Sequence, residues 1–192
     1  MPAPYEIYAN GLMDVYLAAP NTADPAIGSP PPGTWTKLGV AGSQDYGEDA
    51  GIDVGKETEN NPIYALGSFG VRKVFRNRES LTVGLVLMDA TIEAIAASFN
   101  QAAISVIAGP PAEKTVPLLE GTATPTFRAL LIKGALSPYM DGGVFQWWIP
   151  IVYQTGSLHF VFKKSEPIGI AFEFTAIADA TNGFGKVHEQ TA

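Results

Sequence analysis

Short apolar runs alternate with polar residues along most of this chain, and glycine and proline break the runs apart, which is the pattern of a sheet protein. Met13, Val15 and Leu17 alternate with Asp14 and Tyr16, predicting a first strand that ends at Pro20. An extended loop over 20–34 follows, because Pro25 and the run Pro30, Pro31, Pro32, Gly33 support neither a ladder nor a helix. Extended structure resumes over 35–39. From 40 to 62 the chain is polar and acidic, with Ile52 and Val54 two residues apart, and reads as a long extended loop or an exposed hairpin. Strands are expected over 69–78 and 81–88, the second with Leu81, Val83, Leu85 and Leu87 on one face. Asp89 then caps a helix over about 89–100, with Ile92, Ile95, Ala96 and Phe99 as its apolar stripe. Short strands over 104–108 and 127–133 flank a third extended loop, 109–125, which holds four prolines. Strands over 144–153, 158–163 and 168–177 close the fold. A polar tail over 179–192 is expected to be disordered or ordered by a neighbour.

The strand at 144–153 constrains its surroundings. Strict alternation puts Phe145, Trp147, Ile149, Ile151 and Tyr153 on one face, and Trp148 on the other with Val144, Gln146 and Val152. A strand apolar on both faces is covered on both.

A length of 192 residues suits one domain, 1–192. Charged residues make up only 16% of the chain, below the usual ~25%, so part of the surface is expected to be covered by other protein. Nineteen acids against twelve bases give a net charge of -7, which disfavours general binding to nucleic acid or anionic lipid. There is no cysteine, hence no disulfide and no thiol chemistry. The first base is Lys37, preceded by Glu6 and Asp14, which is unlike a signal peptide, and no apolar run has the length of a membrane span; no membrane anchor is expected.

Candidate chemistry is sparse. His159 and His188 have no ligand partners at short metal spacing, and no nucleotide-binding or nucleophile motif occurs, so no metal, cofactor or catalytic residue is assigned and the chain reads as a non-enzyme. Glu173 is the one acid on a strongly apolar strand, and simple alternation turns it outward. Trp148 and neighbouring aromatics offer an alternative class, a β-sandwich lectin-like module stacking sugar; a carbohydrate hydrolase is a more distant one.

Charge is segregated along the chain. Asp45, Glu48, Asp49, Asp53, Glu57 and Glu59 face only Lys56 in their segment, while Arg72, Lys73, Arg76 and Arg78 stand soon afterwards with only Glu79 against them. Alternation places Arg72, Arg76 and Arg78 on one strand face and Lys73 on the other. Three readings compete: an edge strand protected by charge, a nucleic-acid patch, and the two halves of a complementary contact between copies. The basic face lacks the interleaved aromatics of a nucleic-acid platform.

The order of these elements resembles the major tail (tail tube) proteins of long, non-contractile-tailed bacteriophages. The resemblance is carried by Val15-Tyr16-Leu17-Ala18, the proline-rich loop, Trp35-Thr36-Lys37-Leu38-Gly39, the long polar segment, Arg76-Asn77-Arg78-Glu79-Ser80-Leu81-Thr82-Val83, and Asp89-Ala90-Thr91-Ile92-Glu93-Ala94-Ile95. It covers about the first hundred residues. It implies a mainly β fold, a β-sandwich or partly rolled barrel with one flanking α-helix. It also implies a virion structural protein that self-assembles into hexameric rings stacked as a tail tube, made and assembled in the bacterial host cytoplasm. The implied partners are copies of the chain itself and other tail proteins (tape measure, tail terminator, distal tail protein), with DNA only passing through the lumen; a related baseplate role is the variant. On this reading the acidic segment is an inter-subunit or inter-ring arm and the four bases are its receiving surface.

Overall fold

The computed structural model describes residues 13–39, 51–64, 66, 69–88, 91–99, 104–109, 111–118, 125–134, 144–156, 160 and 169–190. Its elements, in chain order, are β1 (Met13–Ala18), β2 (Thr36–Lys37), β3 (Ile52–Tyr64), β4 (Val71–Leu87), α1 (Ile92–Ser98), β5 (Ser105–Ile107), β6 (Glu113–Thr115), β7 (Arg128–Gly134), β8 (Phe145–Gln154), β9 (Ile170–Ala176) and β10 (Lys186–Glu189). Eight strands form one antiparallel sheet in the order β2-β1-β7-β8-β9-β4-β3, with β10 paired to β8 as a branch. β5 and β6 form a separate two-stranded sheet.

The expected β-sandwich or partly rolled barrel does not form. The main sheet is open: its path ends at β2 and β3, which do not pair with each other. At two residues, β2 is too short to offer a ladder for closure. A sandwich needs a second sheet lying on the first, and all six residues of β5 and β6 are exposed, so they cover nothing.

One face of the sheet carries the core, and its residues fall in register from strand to strand. Ile52, Leu85 and Phe172 lie in one row, and Val54, Val83 and Phe174 in the next. Val15, Ile132 and Trp147 make a third, and Leu17, Leu130 and Ile149 a fourth. On β4 and β9 these positions alternate with less buried residues, so a one-residue slip of either strand would turn its apolar set away from the core. α1 packs against β9 through this face, burying Ala94 and Ala97. Its cap is Thr91, whose hydroxyl accepts from Ala94 N at 3.2 Å. Capping was expected from Asp89, which lies outside the described residues. The expected stripe is shifted too: Ala94, Ala96, Ala97 and Ser98 are buried, while Ile92 and Ile95 are only half-buried. Small side chains let the helix approach the sheet closely.

β8 departs from strict alternation. Arg128 pairs with Val152 but Leu130 pairs with Ile149, so Pro150 and Ile151 together oppose Ala129 in a bulge. Proline lacks the N–H a regular ladder needs, and a bulge accommodates it. The bulge moves Val152 onto the core face with Ile149, correcting the expected grouping of Ile149 with Ile151 and Tyr153. The sheet also branches here, since the edge of β8 that carries β10 over 145–148 carries β9 over 152–154.

The opposite face of β7 and β8 has its own smaller cluster, Trp35, Ala129, Leu131 and Trp148. The proline-rich loop covers it: Trp148 Nε1 donates to Thr22 O at 3.0 Å, and the fully buried Gln146 donates through Nε2 to Asp24 Oδ1 and Pro25 O, both at 2.8 Å. β8 is thus covered on both faces, as its composition demands.

Several expected boundaries need correction. Of the two readings of 40–62, a long loop or an exposed hairpin, the loop fails for its second half, which is β3, one strand of an exposed hairpin with β4; the two strands expected over 69–88 are the single strand β4. The loop 109–125 contains β6. The tail 179–192 includes β10, which its own chain orders through β8. The strand expected over 158–163 lies outside the described residues except Phe160, whose ring sits 5.7 Å from that of Phe99.

Candidate interaction surface on the hairpin

β3 pairs with β4 along its whole length, from Ile52 opposite Leu85 to Tyr64 opposite Val71, but β9 joins β4 only over 82–87. Over 71–81 the only strand beside β4 among the described residues is β3. At about 3.3 Å per residue this two-stranded ribbon extends roughly 33 Å beyond the sheet. Its distal residues are exposed, and many of them are apolar: Ile63, Tyr64, Leu66, Phe69, Val71, Val74 and Phe75 all stand in solvent, with Leu66 and Phe69 fully exposed. Scattered surface hydrophobes mean little, but a contiguous apolar tip on a ribbon marks an interaction surface. An isolated hairpin is marginally stable in water at best, so the ribbon gains by a partner that covers it.

The sequence-predicted charges sit on this element. Asp53, Glu57 and Glu59 lie on β3, and Arg72, Lys73, Arg76 and Arg78 on β4, so the two opposed groups are neighbouring strands of one hairpin. Asp45, Glu48 and Asp49 lie outside the described residues. Two irregularities sort the charges between the ribbon's faces. Glu59 pairs with Arg78 and Asn60 with Arg76, which leaves Asn77 as an extra residue in β4; a second shift leaves Arg72 extra between Lys73 and Val71. Each extra residue reverses the alternation beyond it.

One face, continuous with the core side, therefore carries Lys56, Glu79, Arg76, Val74 and Tyr64. Lys56 Nζ lies 3.5 Å from Glu79 Oε2, and Arg76 reaches Glu79 Oε1 at 2.5 Å. The other face carries Asp53, Glu57 and Glu59 alongside Arg78, Phe75 and Lys73, whose Nζ stands 5.3 Å from the Phe75 ring centroid. The expectation that Arg72, Arg76 and Arg78 share a face is thus incorrect: Asn77 puts Arg76 and Arg78 on opposite faces. Both ion pairs join a cation that is more than half exposed to Glu79, whose side chain is 24% exposed, and pairs of this kind contribute about 1 kcal/mol or less.

The remaining candidates are placed elsewhere. Glu173 is exposed on β9, as alternation implied. His188 lies on β10 with Nε2 2.6 Å from Asp24 Oδ2, and His159 lies outside the described residues. Among the described residues no three His, Cys, Asp or Glu side chains converge as metal ligands, and no helix is long and apolar enough to cross a membrane. Trp148 is 5% exposed and lies beneath Lys186, whose Nζ is 5.8 Å from its ring centroid, so it offers no open face for sugar stacking.

The apolar tip was the part that residue-by-residue reading missed. Its signal is the apolar run around Ile63, Tyr64, Leu66 and Phe69 at what the topology makes the end of a hairpin. Compared with protein-family models and with curated proteins, the chain matches none.

Proposed function

We propose that this chain is a structural subunit that works by assembling with copies of itself, as a tail tube protein of a long-tailed phage does, and that the β3–β4 hairpin is its contact arm. The observation that carries the reading is the ribbon itself. Strand pairs that leave the sheet, expose apolar side chains at their tip and carry sorted charge on both faces are built to be covered by protein. The low overall charge supports this, since a surface destined for burial between copies needs few charges. Opposite charges along the arm supply orientation between copies more than affinity. A net charge of -7 suits the wall of a conduit through which a phosphate polymer slides without binding.

Electron microscopy of the purified chain at high concentration tests the proposal. Rings or tubes are the expected result; a strict monomer at every concentration and salt condition overturns it.

A further inference from the structure

A cleft of about 530 Å³ opens between the end of β1, the segment around β2, α1 and the start of β7. Its walls are largely apolar, including Leu17, Leu38, Ala97 and Phe127, and three charged residues line it: Lys37, Glu93 and Arg128. Two of these are committed. Lys37 Nζ lies 3.0 Å from Asp14 Oδ2, and Glu93 Oε1 accepts from Lys114 Nζ at 2.5 Å. Arg128 has no such partner among the described residues, and its Nε is buried without a hydrogen bond. Burial also pushes its pKa down, with no neighbouring carboxylate to offset the loss of water.

Arg128 is partly buried, and an N–H shut away from water without an acceptor is costly, so a ligand that reaches this side of the guanidinium would be stabilised. Its planar fork matches a carboxylate in two parallel hydrogen bonds. A cleft of this size accepts a few side chains, and apolar walls around one cation fit an acid carried on an apolar or extended stem rather than a string of phosphates, which would need several cations.

We propose that this cleft is a carboxylate receptor, and that its ligand is the acidic hairpin face of a second copy, where Glu57 and Glu59 stand exposed on β3. The inference rests on the self-assembly reading and adds to it the surface that receives the arm. Among the described residues Glu57 and Glu59 take part in no ion pair, and they sit on the ribbon that leaves the sheet. Seating them against Arg128 satisfies both sides at once: the cation gains its acceptor, and the ribbon gains apolar cover.

The test compares assembly of the full-length wild-type chain with that of Arg128→Met, Arg128→Glu, and Arg128→Glu combined with Glu57→Arg and Glu59→Arg, using sedimentation velocity and electron microscopy. Arg128→Met is expected to melt no lower than wild type, because it removes an uncompensated charge, yet to raise the concentration needed for assembly at least tenfold. Arg128→Glu is expected to abolish assembly, and the charge-swapped combination to restore it. Wild-type-like assembly by Arg128→Met overturns the inference while leaving the self-assembly reading intact. A wild-type chain that never assembles overturns that reading, and this inference with it.

Discussion

His188 Nε2 lies 2.6 Å from Asp24 Oδ2, although 164 residues separate them in the chain. The same carboxylate accepts from the buried Gln146, so one side chain of the proline-rich loop holds both β8 and β10. Asp24→Ala removes both bonds and leaves the buried Gln146 amide with only Pro25 O. A loss of about 1–3 kcal/mol in urea unfolding is expected, with faster amide exchange over 186–189.

Gly185 makes the turn into β10 with φ +120°, and a Cβ there would lie 2.0 Å from Trp148 O. Neither the backbone conformation nor the space admits alanine. Gly185→Ala is expected to cost more than about 3 kcal/mol or to detach β10 altogether. Tryptophan fluorescence checks this, because a detached β10 exposes Trp148 and shifts its emission to the red.

Stability and assembly should separate cleanly by position. Phe172 is 2% exposed in the centre of the core face, and Phe172→Ala is expected to cost about 3–5 kcal/mol. Leu66→Ser and Phe69→Ser alter fully exposed side chains, so the unfolding free energy should change by no more than about 0.5 kcal/mol. On the proposed function, the same pair of substitutions slows or prevents assembly, measured by light scattering.

The bend between β9 and β10 is expected to loosen in acid. Asp179 Oδ2 accepts from the backbone of Thr181 at 3.1 Å and of Asn182 at 2.9 Å, and these bonds hold its carboxyl below the ordinary aspartate range. With the folded pKa depressed, the carboxylate's contribution is complete above the unfolded value of about 3.9 and is lost as pH falls through the lower folded value. Amide exchange of Asn182 should therefore be steady from neutral pH down to about 4 and rise below it, relative to the rate of an unstructured peptide. Asp179→Asn should remove that acid step.

The sequence made the alternating strands legible because each strand is buried on a known face: Leu81, Val83, Leu85 and Leu87 fall on the core side of β4 as their spacing requires. It did not reveal where alternation breaks. Nothing in Arg76-Asn77-Arg78 signals an extra residue, since a bulge is set by pairing with a distant strand, and the assignment of the arginines to one face failed for that reason. Pro150 was a clearer hint of the bulge in β8. Polar β3 read as loop or hairpin because a ribbon exposed on both faces has no apolar alternation to show. The tail over 179–192 looked unstructured for a related reason: β10 is held by β8 and by Asp24, and neither lies near it in sequence.

The order of the sheet dictates how the chain must come together on the ribosome. β3 and β4 are consecutive and pair with each other, so the arm can zip up as soon as both have emerged. Leu17, by contrast, waits for Leu130, more than a hundred residues downstream, and β8 stays incomplete until the last strand is made. Both strands of the arm are therefore available to pair while the body that carries them is still incomplete. On the proposed function, nascent copies on one polysome would present their arms to one another before their cores are buried.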